Sequence, residues 1–215
     1  MHNIMNEEPT KIICVGRNYA EHASELGNPV PGKLLYFLKP PSSLIRDGGS
    51  VILPPSAGRV DCEGELGIVI GKRAKNAGAH NAMNFVKGYL ICDDVTARDM
   101  QADAKRRGEP WTVSKGYDTF FPVSRMVNAA DVTDISSLLI ETRVNGAVRQ
   151  RGRIADMIFS VASIISTISS VMTLEEGDII ATGTPAGVAP IAAGDSVEVK
   201  IDGIGTLRHG VVSAV

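Results

Sequence analysis

Short runs of apolar residues, separated by turn-forming residues, recur along the chain and predict a fold built mostly of strands. The runs are rich in Ile, Val and Leu, and their short lengths favour strands over helices. Strands are predicted at residues 11–15, 34–38, 64–72, 86–92, 137–144, 147–150, 178–182, 196–201 and 205–212.

The clearest turn signal is the dipeptide Asn145-Gly146, which lies between two of these predicted strands. Asn and Gly tolerate the positive φ angles that a type I′ turn requires at both of its central residues. We therefore expect residues 137–150 to form a β-hairpin. The dipeptide Asp202-Gly203 predicts a second tight connection, between the last two strands.

Two polar pairs with the spacing of a capping box predict short helices, and each helix is followed by a glycine that ends it. The first helix is expected over residues 19–26 and the second over residues 97–107. The pairs are Asn18 with Glu21 and Thr96 with Asp99, and the terminating glycines are Gly27 and Gly108.

A third helix is predicted over residues 160–172, with Ile164, Ile168 and Val171 on one apolar face. The pattern as a whole gives about nine or ten short strands and three helices, which indicates a β-rich α+β domain and not an alternating βαβ chain. The apolar stretch at residues 157–174 is interrupted by Ser and Thr, so it is too polar for a membrane span.

Composition narrows the class of protein. Hydrophobic residues make up 44% of the chain and charged residues 21%, as in ordinary globular proteins. The net charge of −2 lacks the cationic surplus that binding to nucleic acid or to an anionic membrane requires. A chain of 215 residues is long enough for one domain, and we expect a loose leader at residues 1–10 and a single domain at residues 11–215.

Cysteine usage and the start of the chain predict a cytoplasmic protein. Cys14, Cys62 and Cys92 are scattered and odd in number, which fits a reducing compartment better than a disulfide framework. Cys62 and Cys92 lie beside acidic residues, but they are more typical of small buried side chains than of ligands for a soft metal. Residues 1–10 are polar and lack the apolar core of a secretory signal.

Carboxylates beside predicted strands are the first candidates for chemistry. Glu63 and Glu65 are two residues apart, so their side chains point to the same face of a strand. A hard cation between them would relieve their repulsion, although the spacing alone favours a solvated strand face. Asp93 and Asp94 end the next strand, where an aspartate either caps a helix or acts as a ligand. Only one of them is needed as a ligand, because adjacent side chains on a strand point in opposite directions.

Other polar residues suggest a base and an anion site. His22 and Glu25 are three residues apart on the first predicted helix, so they share a face. A carboxylate beside an imidazole raises its basicity, as a water-activating base requires, but the spacing alone favours a simple surface pair. Lys115 either binds an anion or merely keeps its ammonium at the surface. The glycine-rich turn at residues 182–188 offers hydroxyl and N–H groups to an anion.

Eight segments, in order along the chain, together resemble the fumarylacetoacetate hydrolase family, and most closely its short single-domain acylpyruvases. The likeness extends over about residues 12–212, and no single segment is decisive. The segments are VGRNYAEH at residues 15–22, FLKP at 37–40, EGEL at 63–66, DVTARDMQ at 94–101, PWTVSK at 110–115, FPVS at 121–124, ADMI at 155–158 and TGTP at 182–185.

This resemblance implies a mixed β-sandwich roll that forms a homodimer and binds Mg²⁺ or Mn²⁺. The implied metal ligands are Glu63, Glu65 and Asp94, with Asp94 and not Asp93 as the third. Three carboxylates without His or Cys make an all-oxygen site, which suits a hard octahedral ion. Gly64, where relatives often carry a larger residue, is expected to face away from the metal.

The same resemblance implies the catalytic residues. It gives His22 and Glu25 as a base pair on a lid and Lys115 as an active-site cation. The substrate contacts that it implies are Arg98, Gln101 and Thr184.

The implied activity is hydrolysis of a C–C bond in an acylpyruvate or another 2,4-dioxo acid, a small-molecule keto acid. His22 takes a proton from water, the hydroxide attacks the distal acyl carbonyl, and the metal stabilises the enolate that leaves. Oxaloacetate decarboxylation and 2-hydroxydienoate isomerisation also proceed through an enolate, so the same site would serve either. A metal-dependent protein that only binds small dicarboxylates is the non-catalytic alternative, and the complete His22–Glu25 pair argues against it.

Overall fold

The computed structural model describes residues 8–214, which form sixteen strands and four α-helices. The strands are β1 Ile12–Gly16, β2 Leu35–Lys39, β3 Leu44–Arg46, β4 Ser50–Leu53, β5 Val60–Cys62, β6 Gly64–Ile70, β7 Val86–Asp93, β8 Thr96–Ala97, β9 Phe121–Val123, β10 Val127–Asn128, β11 Leu139–Val144, β12 Ala147–Arg153, β13 Ile179–Ala181, β14 Ala189–Pro190, β15 Ser196–Ile201 and β16 Gly205–Ser213. The helices are α1 Ala20–Glu25, α2 Arg98–Arg107, α3 Thr112–Lys115 and α4 Val161–Val171. The predicted β-rich α+β class is confirmed, and most of the predicted leader lies outside the described residues.

Three sheets make up the fold, a mixed β-sandwich roll. The largest has eight strands in the order β2-β1-β13-β6-β7-β9-β3, with β10 paired to β7. A five-stranded sheet has the order β12-β11-β15-β16-β4, and a three-stranded sheet has the order β14-β5-β8. Leu66, Ile140 and Val199 belong to one apolar core that joins the first two sheets.

Strand directions in the large sheet bring several strand ends to one edge. β1 and β13 are parallel to each other, β6 is antiparallel to β13, and β7 is antiparallel to β6. The carboxyl ends of β1, β13 and β7 therefore meet the amino end of β6. Residues that follow or precede these ends, distant in sequence, become neighbours in space.

The predicted hairpin is confirmed. Strands β11 and β12 pair antiparallel, and Asn145 and Gly146 connect them with φ angles of 52° and 78°. Both angles lie in the left-handed region, which Asn and Gly tolerate better than other residues.

Both predicted capping boxes are wrong, although both helices form and end near the predicted glycines. Helix α1 has Tyr19 at its N-cap and α2 has Ala97, and neither start has a side-chain cap. The side chain of Asn18 instead donates hydrogen bonds to the carbonyls of Phe159 and Thr182. The hydroxyl of Thr96 donates to the carbonyl of Asp94. Backbone carbonyls outside the helices thus compete successfully for these side chains, distant ones for Asn18 and a neighbouring one for Thr96.

Helix α4 lies within the predicted residues 160–172 and is capped by the Ser160 side chain, but its buried face differs from the prediction. Ile164 and Ile168 are fully buried, whereas Val171 is 60% exposed. Ile165 is buried instead. The buried face of the helix consists of Ile164 and the residues one and four positions after it, which lie on one side of a helix. None of the helices among residues 8–214 is both long and apolar enough to cross a membrane.

Gly64 faces away from the carboxylates, as expected, and the fold leaves no room for a larger residue there. A Cβ at this position would lie 2.3 Å from Thr142 Oγ1 and 2.8 Å from Val199 Cγ1. Both neighbours belong to the five-stranded sheet, so the glycine allows the two sheets to approach closely beside the site.

Candidate active site

Three carboxylates converge where the large sheet meets the small one. Glu63 lies between β5 and β6, Glu65 lies on β6, and Asp94 directly follows β7. One oxygen from each carboxylate lies within 4.8 Å of the others, and all three residues are buried. The backbone N–H of Asp94 donates to the carbonyl of Glu63 at 2.9 Å, which ties the two strand ends together.

This cluster fits a hard divalent cation. Ligand oxygens around an octahedral Mg²⁺ are roughly 3–4 Å apart, so the three carboxylates need only small movements to surround it. Glu65 accepts the Gly183 N–H at 2.6 Å but forms no ion pair within the described part of the chain. Burial, and then the charges of Asp94 and Glu63, raise the pKa of Glu65 well above its ordinary value. A bound cation would offset this unfavourable charge.

Lys115 lies against two of the carboxylates. Its ammonium donates to Glu63 at 2.9 Å and to Asp94 at 2.6 Å, and the side chain is fully buried. Burial lowers the pKa of Lys115, but Asp94 and Glu63 outweigh burial and keep it above its ordinary value. Lys115 is therefore a buried ammonium held against the carboxylate cluster.

Lys39 is a second buried ammonium, to which the sequence analysis assigned no role. It donates to Asp94 at 2.6 Å and to the carbonyl of Val95 at 3.0 Å. The sequence offers one sign of a special position for this lysine, since it ends an apolar strand and directly precedes Pro40. Asp94 thus has a lysine on each of its two oxygens.

Arg98 and Gln101 line the cleft, but both are held by protein groups. The Arg98 guanidinium pairs with Asp61 at 2.7 Å and with Glu63, and it donates to Gln101 Oε1 at 2.8 Å. Although burial raises the pKa of Glu63, Lys115 and Arg98 bring it well below its ordinary value. Glu63 therefore stays ionised, as a metal ligand must.

Thr184 reaches the cleft from the turn that follows β13. Its hydroxyl donates to the carbonyl of Gly64 at 2.8 Å and accepts from Gln150 at 2.7 Å. These two bonds fix the position of Thr184 in the cleft wall.

His22 and Glu25 lie together on α1 at the cleft. His22 Nδ1 is 3.4 Å from a carboxylate oxygen of Glu25, and this carboxylate also accepts the Gly187 N–H at 3.1 Å. Burial lowers the pKa of His22, and Glu63 opposes the shift. The imidazole is therefore neutral near pH 7, which is the form that can accept a proton.

Adjacent aspartates point in opposite directions at the end of β7. Asp94 faces the cleft, whereas Asp93 accepts the Glu63 N–H at 2.6 Å and pairs with His209 at 2.8 Å. Both members of the Asp93–His209 pair are fully buried. The pair supports the backbone of Glu63 from behind, and no local signal in the sequence links residues so far apart.

The three cysteines lie among apolar side chains. All three are free and buried, and burial raises the pKa of each thiol well above its ordinary value. They therefore remain protonated, as small apolar residues do.

The triad, Lys115 and the other polar side chains of the site line a cleft. This cleft encloses about 350 Å³, including its open mouth. Most of the residues that line the cleft have charged or polar side chains. Such a site suits a small, highly charged ligand.

Comparison with known proteins adds four findings. The sequence model for the fumarylacetoacetate (FAA) hydrolase C-terminal family matches residues 11–212. The chain is 46% identical to the mitochondrial oxaloacetate tautomerase of Arabidopsis thaliana, over 96% of this chain and 93% of the relative. It is 45% identical to the mitochondrial oxaloacetate decarboxylase of Dictyostelium discoideum, over 93% and 92%. A fumarylpyruvate hydrolase from Pseudomonas aeruginosa, solved with Mn²⁺ and pyruvate, superposes with a TM-score of 0.92 at 31% identity and covers 100% of both chains.

Proposed function

The chain belongs to the fumarylacetoacetate hydrolase family, and we propose that it enolises small 2-oxo dicarboxylic acids, with oxaloacetate as its substrate. The observation that carries this proposal is the buried triad of Glu63, Glu65 and Asp94 beside the ammonium of Lys115. Oxaloacetate takes precedence over an acylpyruvate because the relatives named for oxaloacetate share more of this sequence than the fumarylpyruvate hydrolase does.

The triad would hold a divalent cation through Glu63, Glu65 and Asp94. When bound, such a cation supplies a Lewis acid for the carboxylate and 2-oxo oxygens of the substrate. The Mn²⁺ in the Pseudomonas aeruginosa structure supports a divalent ion of this type. Titration of the wild-type protein with Mg²⁺ and with Mn²⁺ would decide between these two ions.

His22 is the base in this proposal. Its neutral imidazole takes a proton from C3 of oxaloacetate, and the C–H electrons form the C2–C3 double bond of the enolate. Glu25 stabilises the imidazolium that results. Return of this proton to the enolate oxygen gives the enol, and its return to C3 gives the keto form, so no atom is gained or lost.

Lys115 stabilises the negative charge that develops on the substrate. Its ammonium is buried, where charge interactions are stronger than in water, and it is already oriented by Glu63 and Asp94. Because it stays protonated, it acts by charge and not as a base.

Decarboxylation would use the same stabilised enolate. The electrons of the C3–C4 bond pass into the enolate of pyruvate, C4 leaves as CO₂, and a proton then returns to C3. This route needs no base to start it. It therefore depends on Lys115 and on the cation site more than on His22.

Acylpyruvate hydrolysis is the second candidate, and the His22–Glu25 pair favours it. His22 takes a proton from water, the hydroxide adds to the distal acyl carbon, and the C–C bond breaks. Its electrons form the enolate of pyruvate, which His22 protonates. The predicted homodimer and cytoplasmic location stay predictions.

A turnover panel tests the proposed function. Oxaloacetate, acetylpyruvate and fumarylpyruvate are offered to the purified protein with Mg²⁺ or Mn²⁺, and Glu65→Ala is the control. Keto–enol conversion and acylpyruvate loss are followed by absorbance, and CO₂ release is followed by a coupled assay. The proposal expects the highest kcat/KM for oxaloacetate. Turnover of acylpyruvates alone would replace it by the hydrolase, and binding without turnover of any substrate would contradict both.

A further inference from the structure

Two cations in the cleft differ from the others because they have no acidic partner. Arg98 and Lys115 also line the cleft, and both form ion pairs with carboxylates of the site. Arg17 and Lys105 line the same cleft but form no ion pair or hydrogen bond to a side chain in the described part of the chain. They are therefore available to an anion that comes from outside the protein.

Arg17 carries two signs of a functional role. Its backbone has a φ of 58°, in the left-handed region that few residues other than glycine and asparagine occupy. Its Nε is buried without a hydrogen-bond partner, one of three such side-chain atoms among residues 8–214. A buried donor without an acceptor is costly, and a bound carboxylate would satisfy it.

Lys105 approaches the cleft from α2 and lies over the ring of Trp111, with Nζ 5.2 Å from the ring centroid. The residue is half-buried. Burial, and then the charges of Arg17 and Arg98, lower the pKa of Lys105 to about 8. An anion at this place would relieve the repulsion among the three cations.

The charge of the cleft points to a ligand with two negative charges. Its wall carries four cations, against the three carboxylates of the triad. A divalent cation at the triad would add two further positive charges, which a monocarboxylate would leave mostly unbalanced. In the proposed function, the triad binds the 2-oxo acid end of the substrate. Arg17 and Lys105 are then available to the opposite end of the same molecule.

We propose that Arg17 and Lys105 bind the distal carboxylate of the substrate and thereby select 2-oxo dicarboxylates over 2-oxo monocarboxylates. Arg17 suits this role because a guanidinium binds a carboxylate through two parallel hydrogen bonds. The inference rests on the proposed function for the position of the 2-oxo acid head. It adds the residues that would determine specificity.

Direct binding of two unreactive ligands tests this inference without turnover. Malate and 2-hydroxybutyrate share a 2-hydroxy acid head, but only malate has a distal carboxylate. Their affinities for the Mn²⁺-loaded protein are measured by calorimetry. We expect malate to bind more tightly, and we expect Arg17→Met and Lys105→Met each to weaken malate binding about 10–100-fold and leave 2-hydroxybutyrate within about twofold.

Two further variants make the test specific. Arg17→Lys keeps the charge but not the paired hydrogen bonds, so it should recover part of the malate affinity. Arg107→Met removes an exposed cation from the same helix as Lys105 and should change neither affinity. Thermal unfolding shows that each variant is folded, and Lys105→Met remains informative if Arg17→Met does not fold.

Equal wild-type affinities for the two ligands would overturn the inference. It would also be overturned if Arg17→Met and Lys105→Met weakened both ligands equally, because that result indicates a general structural effect. The proposed function fails separately. If oxaloacetate is not turned over while the preference for malate depends on Arg17 and Lys105, the dicarboxylate site stands and the proposed function is wrong.

Discussion

The carboxylates of the triad and the His22–Glu25 pair line one cleft, but the chain holds them in opposite ways. Glu65 lies within β6. This strand pairs through its backbone with β13 on one side and with β7 on the other. His22 and Glu25 lie on α1, which has only six residues. A helix of this length is not stable alone, since even helices of about 12–15 residues are marginal in water.

This difference matches the two tasks that we propose. A metal site needs ligands that keep their geometry, and a sheet edge with cross-strand hydrogen bonds provides that. A base must approach the substrate and then let the product leave, and a short helix allows such movement. Helix α1 is attached through Asn18 before it, through its buried residues His22 and Ala23, and through the Glu25 contact with Gly187. It is therefore the part of the cleft wall that we expect to open.

The largest effect should come from a change in the triad of carboxylates, which the sheet holds in place. Asp94→Asn should lose metal binding by more than about 100-fold and turnover with it, because removal of a ligand exceeds the 10–100-fold typical of its supporting residues. Asp93→Asn should instead lower the free energy of unfolding by about 3–5 kcal/mol, because it breaks the buried pair with His209. Metal titration and denaturant unfolding separate the two.

The reverse result, with metal binding lost only in Asp93→Asn, would show that the two aspartates exchange roles. Glu65→Ala provides a second ligand variant. It should also lose metal binding but remain folded, because it relieves a repulsive cluster.

The next largest effect should come from a change in the His22–Glu25 pair, which lies on α1. His22→Ala should lower kcat for oxaloacetate tautomerisation or for acylpyruvate hydrolysis by about 10²–10⁴-fold, as expected for loss of a general base. Decarboxylation of oxaloacetate should suffer less, because no base starts it. Metal affinity should stay unchanged. Unchanged kcat in both His22→Ala and Glu25→Ala would remove the pair from the mechanism, and equal losses in all reactions would indicate a role in closure of the cleft.

Two glycines offer a matched pair of smaller perturbations. Gly64→Ala forces a Cβ against Thr142 and Val199, so it should cost about 1–3 kcal/mol of stability and weaken metal binding. Gly27 ends α1 with a φ of 66° and has open space around it. Gly27→Ala should cost only about 1 kcal/mol and alter kcat without altering metal affinity. Equal effects of both variants on metal affinity would contradict the separation of the two sides.

The smallest effect should be that of pH near neutrality. Because burial lowers the pKa of His22, its neutral form persists down to pH values below the ordinary 6.5. The kcat of tautomerisation should therefore change less than about twofold between pH 7 and 8 and fall only on further acidification. The unfolded chain takes up this proton at a higher pH than the folded protein, so stability should also fall below pH 6.5. A kcat that rises steeply between pH 7 and 8 would contradict a neutral His22.

Strand ends and their charged residues were predictable because their signals are local. Alternation placed Glu63 and Glu65 on one face, and the resemblance to a family selected Asp94 over Asp93. The hairpin at Asn145-Gly146 depends on two residues alone. Each of these features is decided by neighbours in sequence or by a pattern carried over from relatives.

Features that depend on distant partners were not predictable. Asn18 has the form of a helix cap, but its amide bonds to Thr182, which is 164 residues away. Lys39 and His209 reach the site from strands that no local pattern connects to it. The two-residue strands, such as β8 and β14, are too short to show any period. Tertiary contacts, and not neighbouring residues, thus decide which hydrogen bonds such a side chain makes.

The most direct test of the account is exchange of the methyl protons of pyruvate in D₂O, followed by proton NMR. A site that enolises 2-oxo acids should also remove a C3 proton from pyruvate, which is supplied at saturating concentration because it lacks the distal carboxylate that Arg17 and Lys105 are proposed to bind. With Mg²⁺ or Mn²⁺, the wild-type protein should exchange these protons for deuterium well above the rates of Glu65→Ala and His22→Ala. Wild-type exchange no faster than that of Glu65→Ala with either metal would contradict the claim that this cleft enolises 2-oxo acids.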